Sequence, residues 1–299
     1  MPIGGGGGCS GGGGDGQPWA VRRWVAVLIQ RASMWWSLSS SFPPVSVLFL
    51  LHFLLLILFA HIAETRNSSI PAFFVFGDST VDSGNNNYIK TISKSNFPPY
   101  GKDFPNHIPT GRFTNGRLVT DFLASDVGIK DYIPPYLDPT LSLDDLETGG
   151  LLKLGARKIA FVGLPPIGCV PAVITLNSDN ALINRGCIER LSSVARDYNR
   201  LLQSKLTAMQ THGANIIYVD IYTSVEEMIK KPQQFGFEEV NCGCCGSGII
   251  EASILCNPYS LVCSDDSKYV FWDSVHPTEA AYYKVFKDLR SIVDKFSKD

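Results

Sequence analysis

The sequence predicts an α/β domain in which helices cover both faces of a parallel sheet. Short, almost wholly apolar runs recur at Ala72–Phe76 (AFFVF), Lys158–Gly163 (KIAFVG) and Asn215–Tyr222 (NIIYVDIY), with the length and composition of buried strands. Between and after them, apolar residues recur at helical spacing, above all from Ile188 to His212 and from Pro277 to about Phe296. The third observation is size: 299 residues, 45% of them apolar, are enough for one sizeable core.

The first 63 residues stand outside that domain. Residues 4–14 are almost all glycine, which cannot bury a core, so 1–33 reads as a disordered extension. Val45–Ala60 (VSVLFLLHFLLLILFA) is a nearly unbroken apolar run, short of the roughly 20 residues a spanning helix needs. With Ala63 as a small residue at a cleavage point, 34–63 is predicted to be a secretory signal peptide; a retained signal-anchor and a buried core helix are the alternatives. Met34 is a plausible true start. Against it, Met34–Pro44 lacks Lys and Arg, whereas the longer form supplies Arg22, Arg23 and Arg31 upstream. Asn67-Ser68-Ser69 is a glycosylation sequon just past the signal.

Within 64–299, Ala72–Phe76 ends at Gly77 and is followed by an Asn-, Pro- and Gly-rich loop region to about Pro139. Arg117–Ala124 interrupts it as a short helix with Leu118, Phe122 and Leu123 on one side. Pro165 and Pro166 close the second strand. In the long helix Leu191, Val194, Ala195, Tyr198, Leu201, Leu202, Leu206 and Met209 form the expected buried face, and Gly213 is its stop signal. Ser224–Lys231 reads as a helix because Glu226 and Glu227 lie near its start and Lys230 and Lys231 near its end, as the macrodipole prefers.

Charge narrows the partners. With 26 basic and 28 acidic side chains the net charge is −2, so nothing attracts nucleic acid, and a small neutral substrate is expected. Apart from Cys9, the cysteines are Cys169, Cys187, Cys242, Cys244, Cys245, Cys256 and Cys263. None is paired at Cys-x-x-Cys spacing, which favours disulfides in an oxidising compartment over zinc. Seven is odd, so at least one thiol is expected to be free or to have lost its partner.

Two segments hold candidate chemistry. Ligands bind beyond the carboxyl ends of strands in such sheets, and Gly77-Asp78-Ser79-Thr80 lies there after the first strand. Ser79 is a possible nucleophile, although serines at strand ends are common. Asp273-Ser274-Val275-His276-Pro277 is more informative. An imidazole accepts a hydroxyl proton near neutral pH, and an aspartate three residues earlier can fold back to hold the ring. Pro277 is expected at the first position of the last helix. The competing reading is a capping aspartate and an incidental histidine. Of the other histidines, His52 and His61 lie in the leader, His212 ends a helix, and His107 sits in a loop with nothing recognisable around it.

Several blocks now add a resemblance. Phe74-Val75-Phe76-Gly77-Asp78-Ser79 with Asp82-Ser83-Gly84-Asn85-Asn86 resembles the first block of the plant GDSL esterase/lipases, within the SGNH-hydrolase superfamily. Pro109-Thr110-Gly111-Arg112-Phe113-Thr114-Asn115-Gly116-Arg117, Gly163-Leu164-Pro165-Pro166-Ile167-Gly168-Cys169-Val170-Pro171 and Tyr269-Val270-Phe271-Trp272-Asp273-Ser274-Val275-His276-Pro277-Thr278 are similar to later blocks, in the same order. The resemblance implies a flavodoxin-like three-layer α/β/α fold. It implies Ser79 as nucleophile, His276 as general base and then acid, and Asp273 as orienter, acting on an acyl ester or lipid with no cofactor or metal. The signal-like segment and the cysteines imply a secreted protein without stable membrane insertion after signal cleavage. By the resemblance, Cys169 would pair with Cys187; Cys244, Cys245, Cys256 and Cys263 would form the family's C-terminal cysteine cluster, leaving Cys242 supernumerary.

One departure matters. The superfamily binds its oxyanion with the nucleophile's backbone amide, a glycine amide and an asparagine side chain. The last two normally lie between the segments ending Glu147-Thr148-Gly149-Gly150 and beginning Leu151-Leu152-Lys153-Leu154-Gly155, which are fused here. No Gly-x-Asn-Asp run exists in the chain. Asn85, Asn86 and Asn87 follow the nucleophile too closely to substitute, and Asn215 begins another strand. Only the Ser79 amide remains. A deletion at 150/151 would remove one or two strands with their helices, leaving the sheet to close up or to expose an edge and apolar helix faces.

Overall fold

A computed structural model describes residues 74–140, 158–180, 182–209 and 215–298. The glycine-rich extension, the signal segment with Ala63, the Asn67 sequon, His212, Gly213 and the 150/151 junction lie outside the described residues.

In chain order the main elements are α1 (Val119–Asp126), β1 (Lys158–Val162), α2 (Pro171–Asn177), α3 (Glu189–Met209), β2 (Asn215–Val219), α4 (Tyr222–Lys230), β3 (Glu239–Gly243), β4 (Tyr269–Phe271) and α5 (Glu279–Lys298). β1 pairs with β2 in parallel, from Lys158 opposite Asn215 to Val162 opposite Val219. β3 pairs with β4, also in parallel. The described residues therefore form an incomplete α/β fold: two short parallel pairs rather than one continuous sheet.

The core joins the two pairs. Val219 of β2, Met228 of α4, Phe237, Val270 and Phe271 of β4, and Ala281, Val285 and Leu289 of α5 pack together. A second cluster sets Leu118, the N-cap of α1, and Phe122 within it against Tyr282 and Phe286 of α5. Helix α4 begins two residues before its expected start, because the Asp220 carboxylate accepts the Thr223 amide at 3.1 Å. The expected charge pattern appears on it as Glu226–Lys230 and Glu227–Lys231 ion pairs at 2.9 and 3.4 Å.

Three expectations are corrected. Residues 74–76 are not a strand, and Phe76 is 70% exposed, because no neighbouring strand in the described residues pairs with them. β1 forms where expected but is not buried, with Val162 55% exposed: it has a partner on one edge and little packed over its side chains. Helix α3 buries only part of its apolar face. Ala195 and Leu206 are buried together with the polar Ser192 and Asn199, whereas Val194 and Leu201 are 57% and 59% exposed. Among the described residues, β1 and this face of α3 therefore carry exposed apolar side chains.

β3 and β4 were not legible in the periodicity. Both are short, and no α-helix connects them; a disulfide-bonded loop with two short 3-10 turns does. Cys244 pairs with Cys263 and Cys245 with Cys256, while Cys169 pairs with Cys187 as the resemblance implies. The expected unpaired thiol is absent among the described residues: Cys242 is disulfide-bonded as well.

Candidate active site

β4 delivers the first half of the site. The buried Trp272 follows it, and the Trp272 amide donates to the His276 carbonyl at 2.7 Å, closing a tight turn. Inside the turn Asp273 Oδ1 accepts the amides of Val275 and His276 at 2.8 and 2.7 Å. The three-residue spacing thus brings the carboxylate back onto the ring: His276 Nδ1 lies 2.9 and 2.8 Å from the two Asp273 oxygens. Asp273 is fully buried and His276 nearly so.

Two glycine and proline details refine the frame. β3 can lie against this turn only because residue 243 is glycine; a Cβ there would come within 2.5 Å of the Asp273 carbonyl. Pro277 is not the first helical residue, as expected, but two positions before it. Thr278 caps α5 instead, its hydroxyl accepting the Ala281 amide at 3.1 Å while donating to the Tyr269 carbonyl at 2.8 Å.

Ser79 comes from the other end of the chain. Asp78 shapes its turn: Oδ1 accepts the Thr80 amide and hydroxyl at 2.9 and 2.7 Å, and the Asp78 carbonyl accepts the Val81 amide at 3.2 Å. Between these anchored neighbours Ser79 Oγ lies 2.8 Å from His276 Nε2. Because Nδ1 faces a carboxylate, it holds the ring proton, and Nε2 is left to accept from the serine hydroxyl. Serine, imidazole and carboxylate stand in one continuous hydrogen-bonded line, the arrangement that activates a hydroxyl for attack on a carbonyl. The His107 ring bonds instead to the Lys102 carbonyl.

The structure also names residues that sequence reasoning passed over. Phe113 stacks on the His276 ring with centroids 4.9 Å apart. The Tyr100 hydroxyl donates to Asp273 Oδ2 at 2.8 Å. Spacing could not reveal either contact, since both depend on loops meeting across the fold.

Near Ser79, Asn86 and Asn87 donate elsewhere, and Asn85 is held through its oxygen. The Asn86 amide donates to Asp82 Oδ2 and the Gly111 carbonyl at 3.0 and 2.5 Å, and that of Asn87 to the Thr110 carbonyl at 2.9 Å. Asn85 accepts the Leu137 amide at 2.9 Å. Asn115 and Asn199 hold Asp103 and the Leu164 backbone. Three buried polar atoms around the site, Trp272 Nε1, Ser274 Oγ and Tyr282 Oη, have no partner among the described residues.

A family model, GDSL-like Lipase/Acylhydrolase, matches residues 141–289. One GDSL esterase/lipase of Arabidopsis thaliana is 42% identical over 329 residues, covering 77% of this chain and 88% of that relative. Another from the same plant is 34% identical over 339 residues, covering 80% and 94%. In the first alignment, 77% of 299 residues is about 230, so about 100 of its 329 positions stand opposite nothing in this chain. The second gives a difference of the same size. With identity of this degree in alignments that span 88% and 94% of those relatives, the chain belongs to the GDSL esterase/lipase family and is, by that resemblance, a carboxylic ester hydrolase.

Proposed function

We propose that the chain is a secreted serine esterase acting on acyl esters through an acyl-enzyme on Ser79, with turnover impaired by an incomplete oxyanion hole. The observation that carries the first half is the 2.8 Å contact between Ser79 Oγ and His276 Nε2, backed by the buried Asp273. As Oγ attacks the ester carbonyl, Nε2 takes its proton, and Asp273 stabilises the imidazolium that forms. The same proton passes to the departing alcohol. Water then enters and gives a proton to Nε2, which returns it to Oγ as the acyl–Oγ bond breaks and the acid leaves. An alcohol in place of that water would make the protein an acyltransferase.

The impaired half rests on donors. The Ser79 amide is the one donor of the three that the chain retains. The Asn86 and Asn87 side-chain amides, which donate to backbone carbonyls elsewhere, support this reading, as does the absence of a Gly-x-Asn-Asp run. The roughly 100 unmatched alignment positions fit a deletion at 150/151 within a domain spanning 64–299. So do the exposed Phe76, β1 and α3 side chains. Each lost oxyanion donor costs about 10²–10³ in turnover. Inserting the corresponding segment of a full-length relative between Gly150 and Leu151 should therefore raise hydrolysis of a short-chain ester by at least about 10². Equal rates with and without the insert would refute the impairment. If Ser79 in the present chain is not labelled by a fluorophosphonate above the Ser79→Ala background, it is a non-catalytic member of the family.

Secretion is supported by the disulfides and by the signal-like segment 34–63. No helix among the described residues is long and apolar enough to cross a membrane. The expected product is a chain that leaves the cell cleaved near Ala63, without residues 1–33. Mature peptides from 17–30, found by mass spectrometry, would overturn that expectation.

A further inference from the structure

We propose that Tyr100 is a positioning residue of the relay, fixing the Asp273 carboxylate that in turn holds His276, and that the backbone amide of Ser253 fixes Tyr100. The inference rests on the relay reading above.

The two carboxylate oxygens are held in different ways. Oδ1 is anchored locally, by the amides of Val275 and His276 at 2.8 and 2.7 Å. Oδ2 has no such local anchor. Besides the imidazole, its partner is the Tyr100 hydroxyl at 2.8 Å, from a residue 173 positions away. The direction of that bond is dictated chemically. The Ser253 amide can only donate and points at the Tyr100 oxygen from 2.7 Å, so the phenol proton is directed to the carboxylate, which can only accept. Burial first, and then the Asp273 charge, push the phenol pKa far above its ordinary value, so Tyr100 remains a donor wherever the enzyme works.

Both ends of this bridge are rigid. The Tyr100 ring sits edge-on among Phe97, Phe113 and Trp272, with centroids 5.8, 6.0 and 6.5 Å away. Ser253 lies at a left-handed φ of 51°. Its hydroxyl accepts the Lys94 amide at 3.0 Å and donates to the Lys94 carbonyl at 3.1 Å, and the Cys245–Cys256 disulfide ties down the same loop. A phenol donor draws negative charge off Oδ2. Without it the carboxylate is a stronger base and stabilises the imidazolium more. Tyr282, buried on α5, is another titratable group near this carboxylate, and Asp78 beside Ser79 acts on the same Tyr282 phenol.

The test is an NMR titration of the His276 ring in the full chain, its signal identified by its loss in His276→Gln. Tyr100→Phe should move the His276 midpoint upward by about half a pH unit or more. Tyr282→Phe removes the same atom from a hydroxyl that has no hydrogen-bond partner among the described residues, and should leave the midpoint where it is. Asp273→Asn should move it downward. If Asp273→Asn shifts the midpoint and Tyr100→Phe does not, the tyrosine proposal fails and the relay stands. Should neither variant move it, Asp273 does not hold His276, and both readings fall.

Discussion

Replacing His276 with glutamine should lower fluorophosphonate labelling of Ser79 by about 10³ or more. Among the described residues the serine hydroxyl is bonded to one base, Nε2 at 2.8 Å, and the neighbouring Asp78 and Thr80 side chains shape the turn. Glutamine can fill much of the space but cannot take up and return a proton. The labelling rate, measured beside Ser79→Ala and with cooperative unfolding confirmed for each variant, reads this directly. Labelling within tenfold of the parent would mean that another group activates Ser79.

A second large effect is expected away from the chemistry. Arg112 and Asp121 form a buried bidentate pair, with Nε and Nη2 each 2.8 Å from a carboxylate oxygen. The pair is saturated: Asp121 also accepts the Leu118 and Ile133 amides at 2.9 Å, and Arg112 donates to the Ser83 and Ile133 carbonyls at 3.0 and 2.8 Å. It therefore ties α1 and the 133 loop to the segment just beyond Ser79. Asp121→Asn leaves a guanidinium buried without its counter-charge, which should cost about 3–5 kcal/mol of unfolding free energy. Urea denaturation at an unchanged m-value measures it. A loss below about 1 kcal/mol would show that the pair is replaceable, as an exposed bridge such as Glu227–Lys231 would be.

Legibility differed sharply between elements. Helix α3 was readable because a 3.6-residue period persists over many turns, yet the same period could not tell which stripe is covered. Asn199 lies on the buried side because it bonds the Leu164 backbone, and Tyr198 beside it faces out. β4, only three residues long, leaves no periodic trace. Phe76 was misjudged because an apolar run signals a strand only where another strand stands ready to pair with it.

By itself the sequence determined what is local. The Asp-x-x-His turn is such a feature, since its hydrogen bonds close within three residues, and so are the helix periods and the cysteine-rich loop. The tertiary structure alone decided what meets across the chain: Ser79 with His276 over 197 positions, Tyr100 with Asp273 over 173, and Arg112 with the carbonyl of Ser83. The physical reason is that local geometry follows from a few dihedral angles, whereas distant contacts depend on how the whole core packs.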